Sequence, residues 1–393
     1  MNPAADDIPP RRLWAEWLLI LIFAALLWLP TVDYFIGLDR TQPPGENRLP
    51  APKPHLGQFN LAGAQKYTVA CEVYFNDHFG FRKRLIRWFQ QWKQRLYHDQ
   101  SVNKVIVGRD HWLFSGEQLM VEHFLGLAKF TPAQLKSWQT LLEKRRDWLG
   151  QRGTKYLFVI APDKQSIYPE QLPVWLVNAA PTNRETKLDQ FLKYMQANST
   201  VEILDLRGPL VAAKQTRPIY LQGDSHWNMF GSFVACQALI QTLTQRLPAL
   251  PPLRGQDFIW TNTPDTGGDL ARMAGAEAGE KNSFQFQPAT ALPALRMTED
   301  LHFKSNWGIK KVVTVENPAA TNRVVVLFHD SFGGSWPPFL GLSFKRAVFE
   351  LDNHEFCPAL IASNAPDVVI NEILERYFDT ADPEEMIAKD ALP

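Results

Sequence analysis

Five short apolar runs constrain this 393-residue chain most: "KYLFVIAP" (155–162), "VEILDL" (201–206), "RVVVLF" (323–328), "RAVFEL" (346–351) and "DVVIN" (367–371). A strand with one wet face alternates apolar and polar residues. Runs without alternation fit strands covered on both faces, as in a parallel sheet between helical layers. Helical patterns separate the runs. Thr131-Pro132 reads as an N-cap followed by a first-turn proline, Leu135, Trp138 and Leu142 keep helical spacing, and Gly150 and Gly153 end that helix. "KLDQFLKYMQ" and "NMFGSFVACQALIQTLTQRL" are further helical stretches. The pattern predicts an α/β fold, a three-layer α/β/α domain with a mostly parallel sheet. Between 248 and 322 the rhythm lapses into a Pro/Gly-rich, loop-rich insertion with short strands "FQF" and "KKVVTV".

The length admits two domains or one large domain with additions. Lys plus Arg and Asp plus Glu are equal at 41 each, so no overall field favours nucleic acid or an anionic polymer, and a charged partner must be recognised locally. Residues 1–12 end in Arg11-Arg12, and residues 13–36 open with "LWAEWLLILIFAALLWLP", which together with "TVDYFI" is long enough to cross a bilayer. The arginines before it and Asp33 and Asp39 after it predict a single-pass, N-in anchor with the rest of the chain outside the cytoplasm. Residues 37–56 are a Pro-rich linker, and the main domain is expected over 57–393. Within it, "FRKRLIRWFQQWKQRLYH" (81–98) is an amphipathic helix with a basic, solvated face. Cys71, Cys236 and Cys357 are odd in number and show no metal-binding spacing; one disulfide or three thiols both fit.

Open parallel sheets carry their sites at the carboxyl ends of strands. One such end reads His329-Asp330-Ser331-Phe332-Gly333-Gly334, another Pro162-Asp163-Lys164 with Tyr168 beyond, a third Asn371-Glu372 with Glu375 and Arg376 after it. A serine placed directly after a buried strand and followed by glycines can be exposed beside backbone N–H groups that stabilise an oxyanion; a plain capped turn is the simpler account of the same residues. In "GDSHW" (223–227), Asp224 and His226 lie two apart and share a face if the segment is extended, with Ser225 on the other. An aspartate there fixes one imidazole tautomer and leaves the second nitrogen to take a hydroxyl proton. A buried His–Asp pair holding loop to helix is the structural alternative. Metal binding through Asp224, His226, His329 and Asp330 lacks the further ligand contexts of metallophosphoesterases, and no metal is expected. Asn228 reads as a cap of the following helix.

Five stretches occur together in order: "VIVGRDHWLF" (105–114), "VIAPDKQSIYPEQLP" (159–173), "YLQGDSHWNMFGS" (220–232), "LFHDSFG" (327–333) and "PDVVINEILERYF" (366–378). They resemble the AlgJ/AlgX-like alginate O-acetyltransferase family, whose core is an SGNH-hydrolase-like α/β/α domain. The resemblance implies Ser331 as nucleophile, His226 as base and Asp224 as its orienting acid, with the acid and base preceding the serine in a permuted order. It implies acetyl transfer through an acetyl-serine onto hydroxyls of an exported polysaccharide in the bacterial periplasm, at the inner membrane. No cofactor is bound; a membrane-bound O-acyltransferase partner supplies the acetyl group, and other export proteins accompany it. Gly333 is a candidate oxyanion donor, and Lys164, Tyr168 and Arg376 are candidate contacts to substrate. His329 stands where the family commonly has glycine. A carbohydrate acetylesterase using the same three residues, and an inactive polysaccharide-binding scaffold, are the competing functions.

Overall fold

The computed structural model describes residues 13–36, 52–55, 61–81, 84, 101–102, 105–117, 119–264, 267–275, 282–289, 291, 293–305, 308–351 and 356–392. The chain divides into two compact units, 1–99 and 100–393.

The first unit contains helices Leu13–Ile36 and Leu61–His78. Residues 13–36 are helical as expected, but among the described residues no helix is long and apolar enough to cross a membrane, so the expected span is not borne out. Glu16, Pro30 and Asp33 interrupt the apolar run, and Asp33 is turned inward to accept the N–H of Phe81 at 2.8 Å. Most of the linker, and the basic helix apart from Phe81 and Arg84, lie outside the described residues.

The second unit is built on a seven-stranded sheet. Its strands are β4 (Lys155–Ala161), β5 (Ile203–Asp205), β8 (Arg296–Ser305), β9 (Gly308–Glu316), β10 (Val324–His329), β11 (Arg346–Leu351) and β12 (Val368–Leu374), in the order β5-β4-β12-β10-β11-β9-β8. The five strands expected from the apolar runs are the mutually parallel ones. β9 pairs antiparallel with β11, and β8 pairs antiparallel with β9, so the 248–322 segment contributes sheet edge as well as loops. The remaining strands are β1 (Ser101–Val102), β2 (Val105–Val107) and β3 (Leu113–Ser115), which form a small antiparallel sheet, and β6 (Phe258–Asn262) and β7 (Phe284–Pro288), which pair as a hairpin.

The absence of alternation in the sequence has a direct cause. Successive residues of one strand enter two different cores: Leu157, Val325, Leu327, Val368 and Ile370 pack with the helix Met229–Thr244 on one face. Phe158, Ile160, Val326, Phe328 and Val369 pack on the other face with helices Pro132–Gly150 and Lys187–Asn198. Thr131 caps its helix through a reciprocal pair with Gln134, and Thr186 does the same with Asp189. The last helix, Pro383–Asp390, is fastened by a buried ion pair in which Arg145 Nε donates to Asp390 at 2.7 Å. All three cysteines are free thiols; Cys236 and Cys357 are buried and Cys71 is partly exposed.

Candidate active site

β10 delivers Ser331. Just past the strand, Asp330 is fully buried and tied on every side. Oδ1 accepts the N–H of Phe332, Oδ2 accepts the N–H of Leu374 at the end of β12, both at 2.8 Å, and its own N–H donates to Glu372 at 3.0 Å. This buckle joins the carboxyl ends of two adjacent strands and turns the next residue outward, so that Ser331 is exposed while its neighbours are buried. Burial pushes Asp330 up to about 6, against the pull of the N–H groups of Phe332 and Leu374. His329 faces the core: Nδ1 is 2.6 Å from the Asp330 carbonyl, and burial lowers its pKa to about 4, so the ring is neutral.

The "GDSHW" segment lies against this turn, pinned by the Tyr220–Trp227 bridge. It is bent where an extended run was expected. Asp224 and His226 still meet, because Asp224 Oδ1 accepts both the backbone N–H of His226 at 2.9 Å and its Nδ1 at 2.6 Å, closing a tight side-chain turn. With Nδ1–H donated to Asp224, Nε2 is left to accept, and it stands 2.8 Å from Ser331 Oγ. The Phe332 ring packs on the imidazole with centroids 4.9 Å apart. Trp227 Nε1 donates to the Phe332 carbonyl at 3.2 Å, locking the histidine segment to the serine turn. Asn228 caps the next helix as expected, accepting from the Gly231 N–H at 2.9 Å.

Ser225 has a different partner. Its N–H and Oγ both donate to Asp269, at 2.8 and 2.6 Å, and the backbone N–H of Asp269 donates to Asp224 Oδ2 at 2.9 Å. Asp269 starts the short helix Asp269–Ala274, inside the segment whose rhythm is lost in the sequence, and nothing in the apolar pattern points to it. Its one signal is the Gly267-Gly268-Asp269 run. A Cβ on Gly268 would lie 2.2 Å from Asp224 Cβ, so only glycine lets the backbone approach that closely.

These contacts set the electrostatics. Burial would raise Asp224, but the His226 hydrogen bond and charge, with the N–H groups of His226 and Asp269, hold it far below the usual carboxylate range. Burial would lower His226; the hydrogen bond and charge of Asp224 and the charge of Asp269 outweigh it and raise the pKa, while Arg376 opposes them. Asp224, His226 and Asp269 offer ligand atoms within 4.8 Å of one another, a spacing a metal ion could use. Here both Asp224 oxygens are engaged by N–H donors, and Asp269 by Ser225.

The other candidates fall at varied distances from this centre. Gly333 is buried against the His329 side chain, where an added Cβ would fall 2.5 Å from His329 Cβ, so it faces the core rather than the Ser331 hydroxyl. Lys164 is 3% exposed, and its ammonium donates to the carbonyls of Leu113, Gln222 and Asp224 at 2.7, 2.9 and 3.0 Å. It therefore holds the Asp224 segment from beneath and has no proton left for a substrate. Tyr168 is also buried, its oxygen accepting the Ile219 N–H at 3.0 Å, so it supports the segment leading into the site. Arg376 donates to Asp163 at 3.0 Å, and its charge acts on Asp330 and Asp269 as well as on His226.

With this geometry in view, comparison with known proteins is informative. The family described as "SGNH hydrolase-like domain, acetyltransferase AlgX" matches residues 105–300. Its family is AlgJ/AlgX-like. The chain is 27% identical over 183 residues to a probable alginate O-acetylase AlgJ of Pseudomonas syringae pv. tomato, covering 47% of this chain and 44% of that protein. A probable AlgJ of Pseudomonas fluorescens is 26% identical over the same shares. The AlgJ/AlgX-like chain thus spans less than half the length of the curated relatives it matches. Among solved structures, Bacillus cereus PatB1 with a sulfonyl adduct superposes with a TM-score of 0.53 at 16% identity, over 72% of this chain and 97% of that one. That likeness shows the fold, in agreement with the SGNH-hydrolase-like expectation.

Proposed function

We propose that this AlgJ/AlgX-like chain is an O-acetyltransferase that acetylates hydroxyls of an exported polysaccharide, alginate or a similar polymer, through an acetyl-serine at Ser331. The observation that carries the reading is the 2.8 Å contact between His226 Nε2 and Ser331 Oγ, with Asp224 2.6 Å behind the ring. That order of groups suits an activated serine nucleophile.

In the first half-reaction Ser331 Oγ gives its proton to His226 Nε2 as it bonds to the acetyl carbonyl carbon of the donor ester. The tetrahedral oxyanion collapses by breaking the bond to the donor oxygen, which leaves with the proton held by His226. In the second half-reaction a sugar hydroxyl passes its proton to His226 and attacks the acetyl-serine. Ser331 Oγ then departs and is reprotonated. Asp224 keeps Nδ1 protonated and stabilises the imidazolium that forms twice per cycle. Of the N–H groups on the turn, that of Phe332 is taken by Asp330 and that of Gly334 bends back toward the Ser331 carbonyl at 3.4 Å. The N–H of Ser331 makes no hydrogen bond among the described residues and is the donor best placed for the oxyanion.

The proposed setting is the periplasm, beside the bacterial inner membrane, where acetyl groups arrive through a membrane-bound O-acyltransferase partner and other polysaccharide export proteins act alongside. The helix Leu13–Ile36 leaves Trp14, Leu19 and Phe23 about two-thirds exposed, an apolar surface that supports membrane attachment. Acetylester hydrolysis is the second reading, favoured by one observation: Ser331 is exposed and the His226 side chain is 31% exposed, so water reaches the site when no acceptor covers it. The convergence of the three side chains speaks against an inactive scaffold.

Incubating the full chain with p-nitrophenyl acetate, with and without oligosaccharides of alginate, tests both readings. Mass spectrometry should find acetyl on the Ser331 peptide and then on the sugar. Acetate release with no sugar acetylation would leave the esterase, and full transfer by Ser331→Ala would remove the nucleophile assignment.

A further inference from the structure

The seven-stranded sheet ends in two edges of unlike build. β5 closes one of them with three partly buried residues, Ile203–Asp205. β8 closes the other with ten residues, and all of 296–301 are exposed, Met297 by 49% and Leu301 by 54%. Among the described residues no strand pairs with the outer side of β8. In an antiparallel strand alternate residues aim their N–H and C=O groups at opposite neighbours, so half of those groups on β8 point outward. An open edge of this kind is a template for a further strand.

The residues along this edge select the strand that fits it. β8 keeps regular register with β9 from Arg296 to Asp300, and an irregularity between Asp300 and Phe303 ends that stretch. The regular segment reads Arg-Met-Thr-Glu-Asp, with opposite charges at its two ends. When two copies of one strand pair antiparallel, their two-fold axis is normal to the sheet and falls on a residue. Centred on Met297, the axis sets Arg296 opposite Thr298; centred on Glu299, it sets two glutamates opposite each other. Centred on Thr298, it sets Arg296 of each copy opposite Asp300 of the other and the two threonines opposite one another. Unlike charges and threonine pairs directly across strands both stabilise a sheet, and like charges destabilise it. On the other face the same register brings the exposed Met297 side chains of the two copies to diagonal positions, within reach of each other.

We propose that the β8 edge is a self-docking surface, on which a second copy of this chain adds its own β8 antiparallel, centred on Thr298. The two seven-stranded sheets then join into one, through a contact in which both copies offer the same patch. Reversing β8 across the axis also reverses β10, so the two Ser331 sites fall at opposite ends of the joined sheet. Neither copy lends a residue to the other's site, and the proposal does not rest on acetyl transfer taking place there. A short paired segment buries little area, which puts this dimer among weak, concentration-dependent associations.

The test is sedimentation velocity of the full chain in detergent, from micromolar to hundreds of micromolar, where a monomer should give way to a dimer. Arg296→Asp and Asp300→Arg each set like charges opposite one another twice, and each alone should weaken dimerisation at least tenfold. Mixing those two variants makes every opposed pair unlike again, so the mixture should dimerise as the parent does. The double exchange Arg296→Asp with Asp300→Arg should likewise recover it. Recovery on mixing is a result that a merely structural role for either residue would not produce. Thr298→Cys supplies a measurement free of charge changes: mild oxidation should link two copies through position 298, seen by mass spectrometry as a joined peptide distinct from any made by Cys71. Asp300→Cys should give no such link, because four residues of offset hold the two positions beyond disulfide reach. A monomer at every concentration, a dimer that survives both single charge reversals, no recovery on mixing, or no link at position 298 would each overturn the proposal.

Discussion

The backbone N–H of Asp269 donates to Asp224 Oδ2 at 2.9 Å, while the other oxygen of the same carboxylate holds the N–H and Nδ1 of His226. Both oxygens of the orienting acid are therefore fixed, one by the ring it orients and one by a loop from a distant part of the chain. Gly268 makes this closeness possible. Its φ of −91° suits any residue, so alanine would be excluded by contact alone, its Cβ falling 2.2 Å from Asp224 Cβ. Gly268→Ala must push the carboxylate aside by about an ångström or more, and misplacement of that size costs on the order of 10²-fold in rate. Burst kinetics with p-nitrophenyl acetate should show that loss while the melting temperature stays close to the parent's. An unchanged burst rate would mean that the Gly268 contact does not position Asp224.

Changing the two ends of the relay should leave distinct signatures. Ser331→Ala abolishes the acetylated peptide. Asp224→Asn preserves the shape but removes the charge and the preference for the correct ring tautomer, with an expected loss of about 10³–10⁴-fold in kcat. Retention of more than a tenth of the parent rate in Asp224→Asn would show that His226 is oriented by something else.

The parallel core was legible because both faces of its strands are covered, which removes alternation and leaves apolar runs that little else in a soluble domain produces. The serine and the His–Asp pair were legible because each sits beside a strand end or a helix start. Asp269 was not, since its position is set by tertiary approach through a glycine and carries no periodicity. Lys164 was visible in the sequence but misplaced: a lysine after a strand reads as a ligand contact until the three carbonyls it serves are seen. The first helix was legible as a helix, whereas a bilayer crossing depends on length and continuous apolarity together.

The pH dependence follows from the two carboxylates near His226. As general base the ring must be neutral, so activity falls as pH drops through its raised pKa, and the acid limb should lie above that of an ordinary histidine. Asp269 contributes to that rise from 3.9 Å. Asp269→Asn removes the charge, so the acid limb of kcat/KM for p-nitrophenyl acetate should move to lower pH. A limb that stays in place or moves upward would contradict the assignment.

Lys164 predicts a different pattern. Lys164→Met takes the ammonium donor from three backbone carbonyls in a buried setting, of which Gln222 keeps the Leu113 N–H, and costs roughly 3 kcal/mol of stability. One of those carbonyls belongs to Asp224, so kcat should fall in the remaining folded protein while KM for the acetyl ester holds. A rise in KM with kcat unchanged would restore Lys164 as a substrate contact.

Glu375 ties stability to pH with a definite sign. Its carboxyl is raised from 4.5 to about 7 in the folded chain, so between those values the folded state holds more protons than the unfolded one. Stability must then fall as pH rises through that window, by roughly 3 kcal/mol for this one buried group. The cause is physical: burial and the neighbouring Asp163 disfavour the charge, and the unfolded chain is relieved of both. Asp330, raised to about 6, adds a slope of the same sign, whereas Asp224, held low, contributes the opposite slope at lower pH. Those groups remain in both proteins when parent and Glu375→Gln are compared, so the difference isolates Glu375. Denaturant midpoints at pH 5 and pH 8 should show the variant losing less stability across the interval than the parent. Equal losses would mean that the Glu375 carboxyl is charged throughout the interval.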